Sequence, residues 1–311
     1  MSEKETVCSN RNFLFNLSLS VPFGTLRSGN FPLHKAKGGN NMTQLLFYEN
    51  AVPVSSDRHK KTSVKTGTTY KFAEKVNSVP LTAIEFGQAS VEYPIVFSGT
   101  AETVMPCAIL GATATKNLFV QEDGTWGGKY VPAFIRRYPF VFANDAEGKN
   151  LILHIDEDFE GLNTDDRGER LFDGDGAQTQ YLKNVLAFLQ DYQQRFNRTQ
   201  LFCKRLIELE LLRPMEAQFS MPSGERQSLS GFQTVDREKL KAVSNDDLGK
   251  MMRTDELECL FLHLASLRHF GDIAERFSVD GDSIKLNGKD EAPAAELNDE
   301  ADAKESSDAD A

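Results

Sequence analysis

A change of hydrophobic period partway along the chain constrains its fold more than any other feature. Between Thr69 and Asp158 apolar residues come in short runs rich in branched and aromatic side chains. These are Ile84-Glu-Phe86, Tyr93-Pro-Ile-Val-Phe97, Cys107-Ala-Ile-Leu110, Asn117-Leu-Phe-Val-Gln121, Tyr138-Pro-Phe-Val-Phe142 and Leu151-Ile-Leu-His-Ile155. Gly, Pro, Asn and Asp punctuate them, which is the pattern of strands and turns. Asp123-Gly124, between Val120 and Trp126, signals a hairpin. With no long helix between the runs, the sheet is expected to be antiparallel. Proline cannot donate to a ladder, so Pro94, Pro132 and Pro139 belong at strand starts, bulges or edges.

After Asp173-Gly-Asp-Gly176 the period becomes helical. Thr179 is placed to cap a helix that carries Leu182, Val185, Leu186, Leu189 and Tyr192 on one stripe. A second helix is expected from Thr199 to Leu212, stopping before Pro214. Ser244-Asn-Asp-Asp247 is a variant capping box, and Leu257, Leu260, Phe261, Leu264 and Leu267 form the last stripe. Ala217–Met221 and Gly231–Val235 read as returning strands. The expected fold is therefore α+β, with a β-rich, mostly antiparallel N-terminal half (69–158) packed with a mainly helical C-terminal half (177–277).

Composition narrows the function. The net charge of −11 argues against a phosphate-tracking nucleic-acid binder, which needs a basic surface. Much of that charge is local, because nine acids face only Lys289 and Lys304 after Asn287. Residues 278–311 accordingly read as an acidic disordered tail. Cys8, Cys107, Cys203 and Cys259 stand apart, unlike a zinc site or a disulfide framework. No stretch approaches the ~18 apolar residues of a membrane span. Residues 1–41 read as a non-native leader or disordered extension, because Lys37-Gly-Gly can be encoded by a ribosome-binding site just ahead of Met42. A short export segment is the alternative. Residues 42–277 remain as the globular domain.

One stretch has a recognisable character: Trp126-Gly-Gly-Lys-Tyr-Val-Pro-Ala-Phe-Ile-Arg-Arg-Tyr-Pro-Phe-Val-Phe-Ala143. It resembles the signature segment of the SapC family. Arg170-Leu-Phe-Asp-Gly-Asp-Gly176, Leu229-Ser-Gly-Phe232 with Val235-Asp236, and His263-Leu-Ala-Ser-Leu267 follow in family order. The resemblance implies a bacterial protein associated with surface layers, and no established reaction whose catalytic residues could be carried over. The peptide-transporter permease of the same name is a different protein, since it requires membrane spans.

Two constellations carry possible chemistry. Arg136 and Arg137 suit an anionic ligand, with Trp126 and Tyr130 as a stacking wall. If the segment is a strand, the two arginines point to opposite faces. His154-Ile-Asp156-Glu-Asp158 places a His and acids on one strand face, and His263 or His269 would complete a facial iron site. The acidic run from Asp156 fails as a calcium loop, since its twelfth position is Arg167. Ser98, Ser230 and Cys107 lack a nucleophile elbow or a base. The resulting expectation is a non-enzymatic accessory protein, surface-layer associated, with protein partners or self-association and no cofactor. The alternatives are an iron enzyme or small-ligand binder using His154/Asp156, and a cytoplasmic partner of a nutrient-uptake system docking through the acidic tail. Without a convincing signal peptide the expected location is cytoplasmic, unless a dedicated secretion route places the chain on the cell surface.

Overall fold

The computed structural model describes residues 46–65, 67, 69–144, 150–220, 226–279 and 285–286. The readings made of residues 1–41 and of the chain from Gly288 onward lie outside them. The described strands are β1 (Ala51–Pro53), β2 (Ser63–Val64), β3 (Ser78–Pro80), β4 (Ile95–Ser98), β5 (Met105–Ile109), β6 (Phe140–Asn144), β7 (Leu151–Asp156), β8 (Leu162–Asn163), β9 (Glu169–Arg170), β10 (Leu212–Ser220), β11 (Arg226–Val235) and β12 (Lys285–Leu286). The helices are α1 (Ser56–His59), α2 (Phe86–Ala89), α3 (Ala133–Arg136), α4 (Gln180–Glu208), α5 (Arg237–Lys241), α6 (Asn245–Arg253), α7 (Glu256–Ser266) and α8 (Phe270–Val279).

Every strand pair is antiparallel, and the fold is α+β as the periodicity predicts. The largest sheet runs β12-β10-β11-β4-β5-β3; two smaller ones run β1-β7-β6 and β8-β2-β9. The large sheet takes strands from both halves of the chain, so the halves share one sheet as well as packing together. Its central hairpin turns at Gly99 (φ +122), where an added Cβ would lie 2.6 Å from the Thr103 carbonyl oxygen. Only glycine fits that turn. Strands β4 and β5 are almost wholly buried, which explains their unbroken apolar runs.

Three local readings are overturned. Ile84–Phe86 is not a strand: Ala83–Glu85 forms a 3-10 turn leading into α2. The Thr82–Glu85 capping box there outweighs β propensity. Asn117–Gln121 keeps only a single bridge, Val120 to Trp126, because the Asn117 side chain bonds the Phe119 amide and the Ala73 carbonyl instead. The two expected helices before Pro214 are one, α4. Thr199 sits buried in mid-helix, its hydroxyl donating to the Arg195 carbonyl and accepting from the Ala83 amide. No Gly or Pro breaks the helix there, and it ends at Glu210 (φ +52), with the Leu211 amide reaching back to the Leu206 carbonyl. Leu212 then opens β10 rather than closing a helix. Thr179 and Ser244 cap α4 and α6 as their sequence context predicts. Beyond 277, α8 continues to Val279 and Lys285–Leu286 pairs with β10, inside the segment read as tail.

Helix α4 serves two cores. Leu182 and Leu189 face the cluster around Phe140, Ile155 and Leu171. Tyr192, Phe196, Phe202, Cys203 and Leu206 face the larger cluster built on β4 and β5.

Helix α7 meets the large sheet through one imidazole. Phe97 pairs with Gln233 and Ser98 with Phe232, a register that would next place Ile95 opposite Val235. His263 stands between them, fully buried. Its Nδ1–H donates to the Ile95 carbonyl at 2.7 Å, and its Nε2 accepts from the Val235 amide at 3.0 Å, with the Thr234 hydroxyl also at 3.0 Å. These partners assign a neutral ring with the proton on Nδ1. Ser266, one turn on, accepts from the Ile95 amide at 2.9 Å. Burial pushes the His263 pKa down to about 4, against the opposing pull of the Ile95 carbonyl.

His263→Ala leaves buried backbone groups without partners at ~1–3 kcal/mol each, so a stability loss of roughly 2–5 kcal/mol is expected in urea unfolding. The pH dependence has a definite sign. The unfolded ring takes up its proton first, so the His263 contribution is complete above about pH 6.5 and is lost as pH falls toward 4. The full loss is roughly 3 kcal/mol. His263→Gln should flatten that part of the slope, and an unchanged slope would show that the ring is not a neutral bridge.

Candidate functional site

The segment from Trp126 to Ala143 is organised by a buried carboxylate that the sequence reading missed. Glu85 accepts from the Thr82 amide and hydroxyl, both at 2.8 Å, through Oε2. Through Oε1 it accepts from the Tyr130 hydroxyl at 2.8 Å and the Ala133 amide at 2.7 Å. Four donors around a buried carboxylate offset its desolvation and fix the start of α3 against the 3-10 turn. Thr82-x-x-Glu85 is a capping-box pattern, so the signal was present in the sequence.

Trp126 and Tyr130 are therefore framework. The indole N–H donates to the Tyr130 carbonyl at 3.0 Å and to the Tyr93 hydroxyl at 3.1 Å. Its ring stacks on Phe119 at 5.8 Å and meets Tyr70 edge-on at 5.6 Å. Tyr93 also donates to the Tyr130 carbonyl. Burial first, then the Glu85 charge, pushes the Tyr130 pKa up, which keeps its hydroxyl a donor.

The arginines lie on a helical turn, not a strand. Pro132 caps α3 and Arg137 ends it, so the expected opposition across a sheet does not occur. Arg136 is exposed, donates to the Val131 carbonyl at 2.9 Å and lies 5.5 Å over Phe188. Arg137 is half-buried and faces inward, 4.0 Å over Phe134, 5.4 Å from Tyr192 and 5.8 Å from Tyr48. Only Arg137 thus sits in an aromatic enclosure.

The His154/Asp156 constellation takes a structural form. Strand β7 ends at Asp156, so exposed Asp158 does not continue the face. Asp156 is fully buried and accepts from the Glu49 amide at 3.0 Å, the Asn50 amide at 2.9 Å and the Tyr138 hydroxyl at 3.2 Å. It pins the segment ahead of β1 to the small sheet. The His154 Nδ1 lies 3.0 Å from the Ile152 carbonyl. His263 belongs to the large sheet, and His269 lies between the Ser90 carbonyl and Asp272. Among the described residues no group of three His, Cys, Asp or Glu side chains is placed to hold a metal ion. Burial pushes the thiols of Cys107 and Cys259 up to about 12 and that of Cys203 higher still, so none of the three is a thiolate nucleophile. No described helix is long and apolar enough to cross a membrane.

Compared with known proteins, the chain matches the SapC family model over residues 54–273, which contain every feature described above from Ser55 to Ile273. The chain belongs to the SapC family. No curated protein and no solved structure matches it.

The committed carboxylates give a direct expectation. Glu85→Ala strips partners from four donors and should lower stability by roughly 3 kcal/mol. Treatment with a metal chelator should leave the wild-type thermal midpoint unchanged. A midpoint that falls on chelation and returns with ferrous iron would revive an iron centre.

Proposed function

We propose that this SapC family member is a non-enzymatic accessory protein that acts by association, with surface-layer attachment as its setting. The observation that carries the reading is the commitment of its chemically capable groups. Glu85, Asp156 and His263 are each occupied by several structural hydrogen bonds, which leaves them no free lone pair or proton for a reaction.

Association has candidate contact points on the helices. Leu201 and Met252 are each 68% exposed, and Phe261 is 55% exposed, unusually high for large apolar side chains. Leu201 lies on α4 between Arg198 and Arg205, which bond to the Thr254 carbonyl and to Glu256 at the α6–α7 corner. Met252 is two residues before that carbonyl. A contact formed there would bury apolar surface from two helices at once.

Sedimentation velocity across a concentration series tests this. Wild type should self-associate, and Leu201→Glu with Met252→Glu should weaken association at least tenfold without lowering the thermal midpoint. A wild type that stays monomeric at every concentration and forms no ordered array would refute the assembly reading. Fractionation of the native host would then decide whether the chain works in the cytoplasm or at the cell surface.

A further inference from the structure

Two buried polar atoms beside the signature segment have no partner among the described residues: Nε of Arg137 and the hydroxyl of Tyr192. Both face the same enclosure, since the Arg137 guanidinium carbon lies 5.4 Å from the centre of the Tyr192 ring. Phe134 and Tyr48 supply two further walls. No carboxylate lies within ion-pair distance of Arg137 among the described residues. A partly desolvated guanidinium without a counter-ion is costly, as is a sealed hydroxyl with no acceptor.

The neighbouring charges do not fill the gap. Glu85 and Asp156 both influence this enclosure, Glu85 raising the Tyr192 pKa and Asp156 that of Tyr48. Each of these carboxylates is already saturated by its own donors. Arg137 and Tyr192 are both donors here, because Arg remains protonated and burial holds the Tyr192 hydroxyl in its neutral form. Two convergent donors without an acceptor define what is missing.

We infer that Arg137 and Tyr192 form a binding site for the carboxylate of a small organic acid whose apolar body packs among Phe134 and Tyr48. A carboxylate offers two oxygens in one plane, one for the guanidinium N–H and one for the phenol O–H. A flat or apolar body suits three aromatic walls better than a phosphate, which needs more donors than the two available. Arg137 and Tyr48 are both half-buried, so the site opens past them. The site is independent of self-association and stands whether or not the chain assembles.

The test uses the full chain and benzoate, acetate and inorganic phosphate as probes, compared with chloride at equal ionic strength. Calorimetric titration and thermal shift should show saturable binding of benzoate, weaker binding of acetate, and none of phosphate. Tyr192→Phe keeps the ring and removes only the hydroxyl, so it should fold normally and bind benzoate five- to twentyfold more weakly. Arg137→Met should abolish binding; if it fails to fold, Tyr192→Phe alone decides. Binding of phosphate alone, no binding of either carboxylate, or equal affinity in Tyr192→Phe would overturn the assignment. So would a crystal structure grown with benzoate that shows only a water molecule bridging the two atoms.

Discussion

The bond on which this architecture most depends is the His263 bridge between the Ile95 carbonyl and the Val235 amide. Strand β4 comes from the first half of the chain and β11 from the second, and their ladder is short, reaching only Phe97 and Ser98. One step further the strands separate by the width of an imidazole. A neutral histidine is suited to that gap because it presents one donor and one acceptor on opposite sides of a flat ring, and so replaces a backbone pair without leaving either partner unsatisfied. Ser266 performs the same service for the Ile95 amide. Helix α7 is thereby hydrogen-bonded into the sheet edge as well as packed against it, which makes the joint between the halves of the chain directional. Apolar packing alone would set a distance but not a register.

Two carboxylates fix the other joints by the same logic. Glu85 holds the start of α3 to the 3-10 turn, and Asp156 holds residues 49 and 50 to the end of β7. In each case one acidic side chain gathers backbone amides from a distant stretch. Such a pin is expensive to bury and strongly destabilising to remove, which favours a single arrangement of the loops it gathers. Between the pins lies α4, long enough at roughly 43 Å to line both cores. The signature segment is thus clamped on the Glu85 side at Tyr130 and Ala133 and on the Asp156 side at Tyr138.

Much of this was legible in the sequence. Period-two runs located β4, β5, β6 and β7, and Thr179 and Ser244 marked their helices, because burial patterns and caps are local signals. The 3-10 turn at Ala83–Glu85 was misread although its capping box was visible, since Ile84 and Phe86 also satisfy a strand pattern. Thr199 looked like a helix start because threonine caps well; its actual role, accepting from the Ala83 amide across 116 positions of sequence, has no local signature. The roles of Asp156, His154 and His263 were illegible for the same reason. A histidine and an acid two residues apart look alike whether they wait for a metal or accept backbone amides, and only the fold brings Glu49, Asn50 and Val235 to them.

The arginine pair shows how far one misassigned element reaches. On a strand, adjacent arginines are equivalent apart from the face they occupy. On the short α3 turn they are separated by about 100° of rotation, and the difference is chemical. Arg136 turns to solvent and spends its Nε–H on the Val131 carbonyl, whereas Arg137 turns into the space between Phe134 and α4. The environment then differs in kind: water screens the first charge, and aromatic faces attract the second without supplying an acceptor for its Nε–H. Tyr192 enters this enclosure only because α4 continues unbroken past Asn197, so the same helix that unites the two cores also delivers the second donor. A helix interrupted near residue 198 would have left Tyr192 on a terminal turn with its hydroxyl free to reach solvent. The unmatched pair of donors is thus a consequence of the architecture itself, set by where α3 turns and by how far α4 runs.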